Sequence, residues 1–116
     1  TKSVAAEHTF DVNLSSEIFM LEQLESISRQ IEKRLQKHSI SGKTITLKIK
    51  YSDFSKQIRS KTMPYYISDK NLIFEIVKEL LYQERLKDSV RLLGIALSNL
   101  NTEQKKTVVI QLQFDF

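Results

Sequence analysis

Residues 43–51 alternate cleanly. Ile45, Leu47, Ile49 and Tyr51 share one parity, and Thr44, Thr46, Lys48 and Lys50 share the other. Successive side chains of a strand point to opposite faces, so this segment reads as a strand with one face covered and one open. The fold around it therefore needs a second layer on one side only.

Two helical stripes supply that layer. Ser15 and Ser16 offer N-cap oxygens and Glu17 suits a first turn. Leu21, Leu24, Ile27, Ile31 and Leu35 then recur at steps of three and four, with Arg29, Glu32, Lys33 and Gln36 largely off the stripe. An amphipathic helix over about 17–37 follows, with Gly42 in the loop that ends it. Ser68 and Asp69 can cap a second helix carrying Leu72, Ile73, Ile76, Val77, Leu80 and Leu81, running to about Leu86.

Three more strands complete the reading. In 3–10, Val4, Ala6, His8 and Phe10 oppose Ser3, Ala5, Glu7 and Thr9. Ser52 and Asp53 supply a turn, and 54–63 pairs back on 43–51 as a hairpin with Gln57, Arg59 and Lys61 on one parity. Pro64, which lacks an amide hydrogen, should end that pairing. In 90–100, Leu93, Ile95 and Leu97 oppose Leu92, Gly94, Ala96 and Ser98. The β-α-β-β-α-β order predicts an α+β, ferredoxin-like sandwich: a four-stranded antiparallel sheet with two helices on one face. Residues 1–101 form this domain, and 102–116 form a polar linker and C-terminal tail.

The chemistry of catalysis is sparse. The chain of 116 residues has no cysteine, which removes a disulfide framework, a thiolate zinc site and a cysteine nucleophile. Asp11, Asp53, Asp69, Asp88 and Asp115 lie in separate loops or at termini and read as caps and turns, not as a metal site. His8 reads as a packed strand residue and His38 as a helix-end residue. There is no glycine-rich phosphate loop, HExxH or GxSxG. No apolar run approaches the roughly 18 residues of a membrane span, and no signal peptide opens the chain, so a cytoplasmic protein without membrane contact is expected. The reading is a binding module.

Its binding surface should be the open sheet face. Ser3, Thr9, Thr44, Thr46, Lys48, Lys50, Gln57, Arg59, Lys61 and Ser98 fall on the polar parities, with Glu7 the acidic exception. Lys and Arg number 18 against 14 Asp and Glu, for a net charge of +4. Hydroxyls and strand amides can donate to phosphate oxygens while the cations displace counterions. Gly94 and Ala96 carry little bulk, so a ligand could approach the backbone there. A merely solvated polar face would show the same alternation.

These residues carry a resemblance. The segment 42–64, GKTITLKIKYSDFSKQIRSKTMP, and the segment 90–100, VRLLGIALSNL, resemble the C-terminal "little finger" domain of Y-family DNA polymerases of the bacterial translesion type. The opening Lys2-Ser3-Val4-Ala5-Ala6-Glu7 is similar to that family's KSIGxE start, with Ala5 where the family has Gly, and Thr9-Phe10 to its following TF. The resemblance implies a DNA-binding domain tethered beyond palm, fingers and thumb, with Thr1 in the linker, gripping template–primer duplex through phosphate contacts. The catalytic carboxylates and magnesium would belong to the palm of the parent nucleotidyltransferase; this piece would be inactive alone and need no cofactor. Carried over by position, Ser3 and Ala5 would offer amides and Thr9 a hydroxyl. Arg59, Ser60, Lys61 and Thr62 match an RSKT segment that would hold template phosphates, and Arg91 and Gly94 match VRLLG. Leu92 and Ala96 stand where some relatives carry arginines, which implies a weaker grip there.

The last six residues, QLQFDF, resemble the bacterial sliding-clamp binding motif. Gln111 would hydrogen-bond at a small pocket while Leu112, Phe114 and Phe116 fill an apolar groove of the clamp. A strand or tail folded back on its own domain is the structural alternative. Two other functions stay open: a stand-alone ferredoxin-like module for RNA or protein, disfavoured by the lack of paired exposed aromatics, and a small hydrolase, disfavoured by only two glycines.

Overall fold

The structure, a computed structural model, describes residues 3–101, with the backbone alone for 11–14. The elements run β1 (Ser3–Leu14), α1 (Glu17–Lys37), β2 (Gly42–Tyr51), β3 (Lys56–Ile67), α2 (Lys70–Tyr82) and β4 (Val90–Leu100). The strands form one antiparallel sheet in the order β1-β4-β2-β3, so the two apolar strands, β2 and β4, lie in the middle. This is the expected α+β sandwich. The linker and tail expected over 102–116 lie outside the described residues. No described helix is long and apolar enough to cross a membrane.

Each helix begins where a side-chain oxygen can hold it. Ser16 Oγ accepts from the Phe19 amide, and an Asp69 carboxylate oxygen accepts from the Leu72 amide. Both helices lie on one side of the sheet. Leu24, Ile27, Ile31 and Leu35 of α1, with Ile73, Val77 and Leu81 of α2, meet Ile45, Leu47, Ile49, Leu93, Ile95 and Leu97 in a single core. Met20 joins that core where Leu21 was expected, and Leu72 is 43% exposed instead of buried. Gly42 opens β2 and does not sit in a loop. A Cβ there would lie 2.7 Å from the Ser98 carbonyl oxygen, so only glycine lets β2 approach the end of β4 this closely.

The hairpin corrects the sequence reading. A turn of Ser52 and Asp53 alone would set Lys48 opposite Gln57. Instead the Phe54 amide donates to the Tyr51 carbonyl and the Tyr51 amide to the Ser55 carbonyl, so the loop takes in Ser52, Asp53 and Phe54. Lys48 then faces Ile58, Thr46 faces Ser60, and Thr44 faces Thr62. A one-residue change in loop length moves every side chain of β3 to the other face. Gln57, Arg59 and Lys61 therefore lie on the helix side, not on the open face. Pro64 also fails to end the strand: β3 continues to Ile67 through an irregularity between Thr62 and Ile67, which an edge strand tolerates.

Arg59 shows what the new parity does. It is only 6% exposed, and its Nη1 donates to the carbonyls of Leu80 at 2.9 Å, Leu81 at 2.8 Å and Glu84 at 3.2 Å. The Leu80 and Leu81 oxygens lie in the last turn of α2, where end carbonyls gather partial negative charge, and Glu84 follows just beyond the helix. Nη2 donates to Gln57 Oε1 at 3.1 Å. The guanidinium thus ends α2 at Tyr82, short of the expected Leu86, and rivets β3 to it. Lys61 reaches the same helix through Glu79 at 2.9 Å. Arg59→Ala should strip the buried Leu81 carbonyl of this donor, leave Leu80 with only the Gln83 amide, and destabilise the domain by about 2–4 kcal/mol in urea denaturation, whereas Lys61→Ala, which breaks an exposed pair, should cost below about 1 kcal/mol.

Candidate nucleic-acid interface

With the register fixed, the open face can be read rung by rung across β1, β4, β2 and β3. The first rung is Ser3, Ser98, Thr44 and Thr62, four hydroxyls in a row. The second is Ala5, Ala96, Thr46 and Ser60. The third is Glu7, Gly94, Lys48 and Ile58, and the fourth is Thr9, Leu92, Lys50 and Lys56. Small and hydroxylic side chains occupy one end of the sheet, and cations collect at the other.

The hydroxyl end is flat and preorganised. Thr44 and Thr62 join through their hydroxyls at 2.9 Å, Thr46 and Ser60 at 3.0 Å, and Asn99 Nδ2 donates to Thr44 Oγ1 at 2.6 Å. Each hydroxyl keeps at least one hydrogen-bonding capacity for a ligand. Short side chains let a broad surface come close to the strands. A shallow depression of about 420 Å³ lies there, lined in part by Ala5, Thr46, Ile58 and Ala96.

β1 is an edge strand, and its backbone adds donors. The Ala5 carbonyl accepts from Arg34 Nη1 of α1, so this residue's peptide groups point outward from the sheet. Alternation along an antiparallel pair turns the amides of Ser3, Glu7 and Thr9 the same way. Their side chains stand on the open face, so amide and side chain meet along one rim.

Of the sequence-derived candidates, the structure brings Ser3, Ala5, Thr9, Ser60 and Thr62 to this face. Arg59 and Lys61 are on the other. Gly94 lines the floor of that depression; it is buried, a Cβ there would meet Glu7 Cβ at 3.0 Å, and Glu7 and Lys48 pair across it at 3.5 Å. Glycine here gives room to that bridge, which also neutralises the acidic side chain of the described open face. Arg91 has no strand partner: Lys50 faces Leu92 and Tyr51 faces Val90, leaving Arg91 as the extra residue of a bulge. Gln111, Leu112, Phe114 and Phe116 lie outside the described residues.

Lys56 escaped the sequence reading because a strand begun at Phe54 gave it no special place. A three-residue loop would have set it opposite Lys50. Among the described residues no group of three or more His, Asp and Glu could hold a metal ion.

A sequence model of the impB/mucB/samB family C-terminal domain matches residues 1–113. The chain is 39% identical over 112 residues to DNA polymerase IV of Leptospira interrogans, covering 90% of this chain and 31% of that protein. It is 35% identical over 115 residues to DNA polymerase IV 2 of Agrobacterium fabrum, covering 98% of this chain and 32% of the other. It spans about a third of the length of these curated relatives. Among solved structures, the fold matches one described as a complex of the beta-clamp processivity factor and the little finger domain of PolIV. The TM-score is 0.69 at 19% identity, over 83% of this chain and 86% of that one. It matches a Dbh ternary complex with a TM-score of 0.71 at 17% identity, over 84% and 29%. At such identities the likeness speaks to the fold.

Proposed function

The chain belongs to the impB/mucB/samB family of C-terminal domains, and from that membership and the geometry above we propose that it is the little finger of a translesion DNA polymerase, DNA polymerase IV. Its open face lies along template–primer duplex and grips phosphates without strong sequence preference. The observation that carries this reading is the face itself: four strands of hydroxyls, small side chains and rim amides, with Lys48, Lys50 and Lys56 at one end. Hydroxyls and amides position a phosphate backbone, while the lysines release counterions.

The palm, fingers and thumb of the parent supply nucleotidyl transfer and hold its magnesium; this chain supplies grip and should show no turnover by itself. The enzyme works in the bacterial cytoplasm. The C-terminal Gln111, Leu112, Phe114 and Phe116 dock on the sliding clamp as an extended peptide, and the likeness to a little finger solved with a beta clamp supports that half of the proposal.

Fluorescence anisotropy with duplex DNA over a range of salt tests the grip. Lys48→Ala with Lys56→Ala should weaken binding and flatten the plot of log affinity against log salt by about 1–2. Lys33→Ala with Lys37→Ala, an equal loss of charge on α1, should change little. Equal effects from both pairs would reject the open face as the DNA surface. For the tail, Phe114→Ala with Phe116→Ala should weaken sliding-clamp binding by about 30-fold or more and spare duplex affinity; clamp affinity retained in that variant would place the contact elsewhere.

A further inference from the structure

Phe54 stands where a phenylalanine is least expected. It is the third residue of the hairpin loop, at a φ of +69°, the left-handed position that such loops usually fill with glycine. A bulky side chain is disfavoured there, so the local backbone does not explain it. Core packing does not explain it either, because the residue is 60% exposed.

Its surroundings are cationic. The Arg91 guanidinium lies 4.6 Å from the ring centroid and the Lys50 ammonium 5.5 Å from it. Arg91 reaches this position from the β4 bulge, and Lys50 belongs to the lysine-bearing rung of the open face. The loop beneath is braced. Asp53 Oδ1 accepts from the Ser55 amide at 2.9 Å and from its hydroxyl at 2.5 Å, and Asp53 pairs with Lys87 at 3.2 Å. Those Ser55 hydrogen bonds, with Lys87, hold the Asp53 carboxyl down to about 2 from an ordinary 3.8, so the brace stays ionised into acid, with its charge matched by Lys87.

We infer that Phe54, Arg91 and Lys50 form a stacking platform for an unpaired nucleotide of a single-stranded stretch adjoining the duplex held by the open face. A base of any identity can stack on the exposed ring or on the guanidinium held over it, and the two cations suit the adjoining phosphates. A second protein would find an aromatic anchor here too, but two cations around the ring favour an anionic partner. The inference rests on the DNA-grip reading and adds to it a site for single strand.

The test compares blunt duplex with the same duplex carrying a short single-stranded extension, using the whole chain. The unmodified protein should prefer the extended duplex by about five-fold or more. Phe54→Gly should abolish that preference, leave blunt-duplex affinity unchanged, and melt at the same or a higher temperature, because glycine relieves the left-handed strain. Phe54→Tyr should retain the preference. An unmodified protein that binds blunt duplex well yet shows no preference overturns the platform while sparing the grip. No binding to either DNA overturns the grip itself. A Phe54→Gly variant that keeps its preference, or loses sliding-clamp affinity in its place, also overturns the platform.

Discussion

The guanidinium of Arg59 against the last carbonyls of α2 is the contact on which the other features depend. It is a fixed cation placed where a helix ends in partial negative charge, inside a protein where water competes little. The three-residue loop turns the odd-numbered residues of β3 toward the helices, and Arg59 locks them there, which keeps the even-numbered ones on the opposite side. Ser60, Thr62 and Lys56 reach the open face because Arg59 does not.

That face has a particular character. Its hydroxyls bond to one another across β2 and β3, which keeps them low and ordered. No arginine fork or free carboxamide stands among its rungs to read a base edge, and Asn99 at its margin is engaged with Thr44. Such a surface suits the sequence-independent grip proposed above. Phosphate contacts of the proposed kind, made by a modest count of cations, would be weakened readily by salt. The Glu7–Lys48 bridge across Gly94 tempers the positive charge further.

Much of this was legible in the sequence. The alternation of 43–51 and 90–100 placed both central strands and their buried residues, and the stripe of α1 with Ser16 before it gave that helix to its ends. What was not legible depended on distant contacts. α2 stops at Tyr82 because Arg59 takes its carbonyls, a partner twenty-one residues away from Leu80 that no local propensity reports. The face of β3 turned on whether Phe54 belongs to the loop, and a phenylalanine at a left-handed position gives no glycine signal to count. Leu72 looked like core because it adjoins the stripe, yet in the first turn of α2 it is its neighbour Ile73 that takes the buried position while Leu72 turns outward. The family motif located Arg59 and Lys61 as a segment of interest without revealing that Ser60 and Thr62, between and beside them, are the ones facing out.

Titration of the domain with duplex DNA, followed by chemical-shift mapping, should perturb the amides of Ser3, Thr44, Thr46, Lys48, Ser60, Thr62 and Ser98 and leave Arg59 and the outer surfaces of α1 and α2 unmoved. Shifts concentrated on the helices, with the hydroxyl rungs silent, would contradict the open face as the DNA surface.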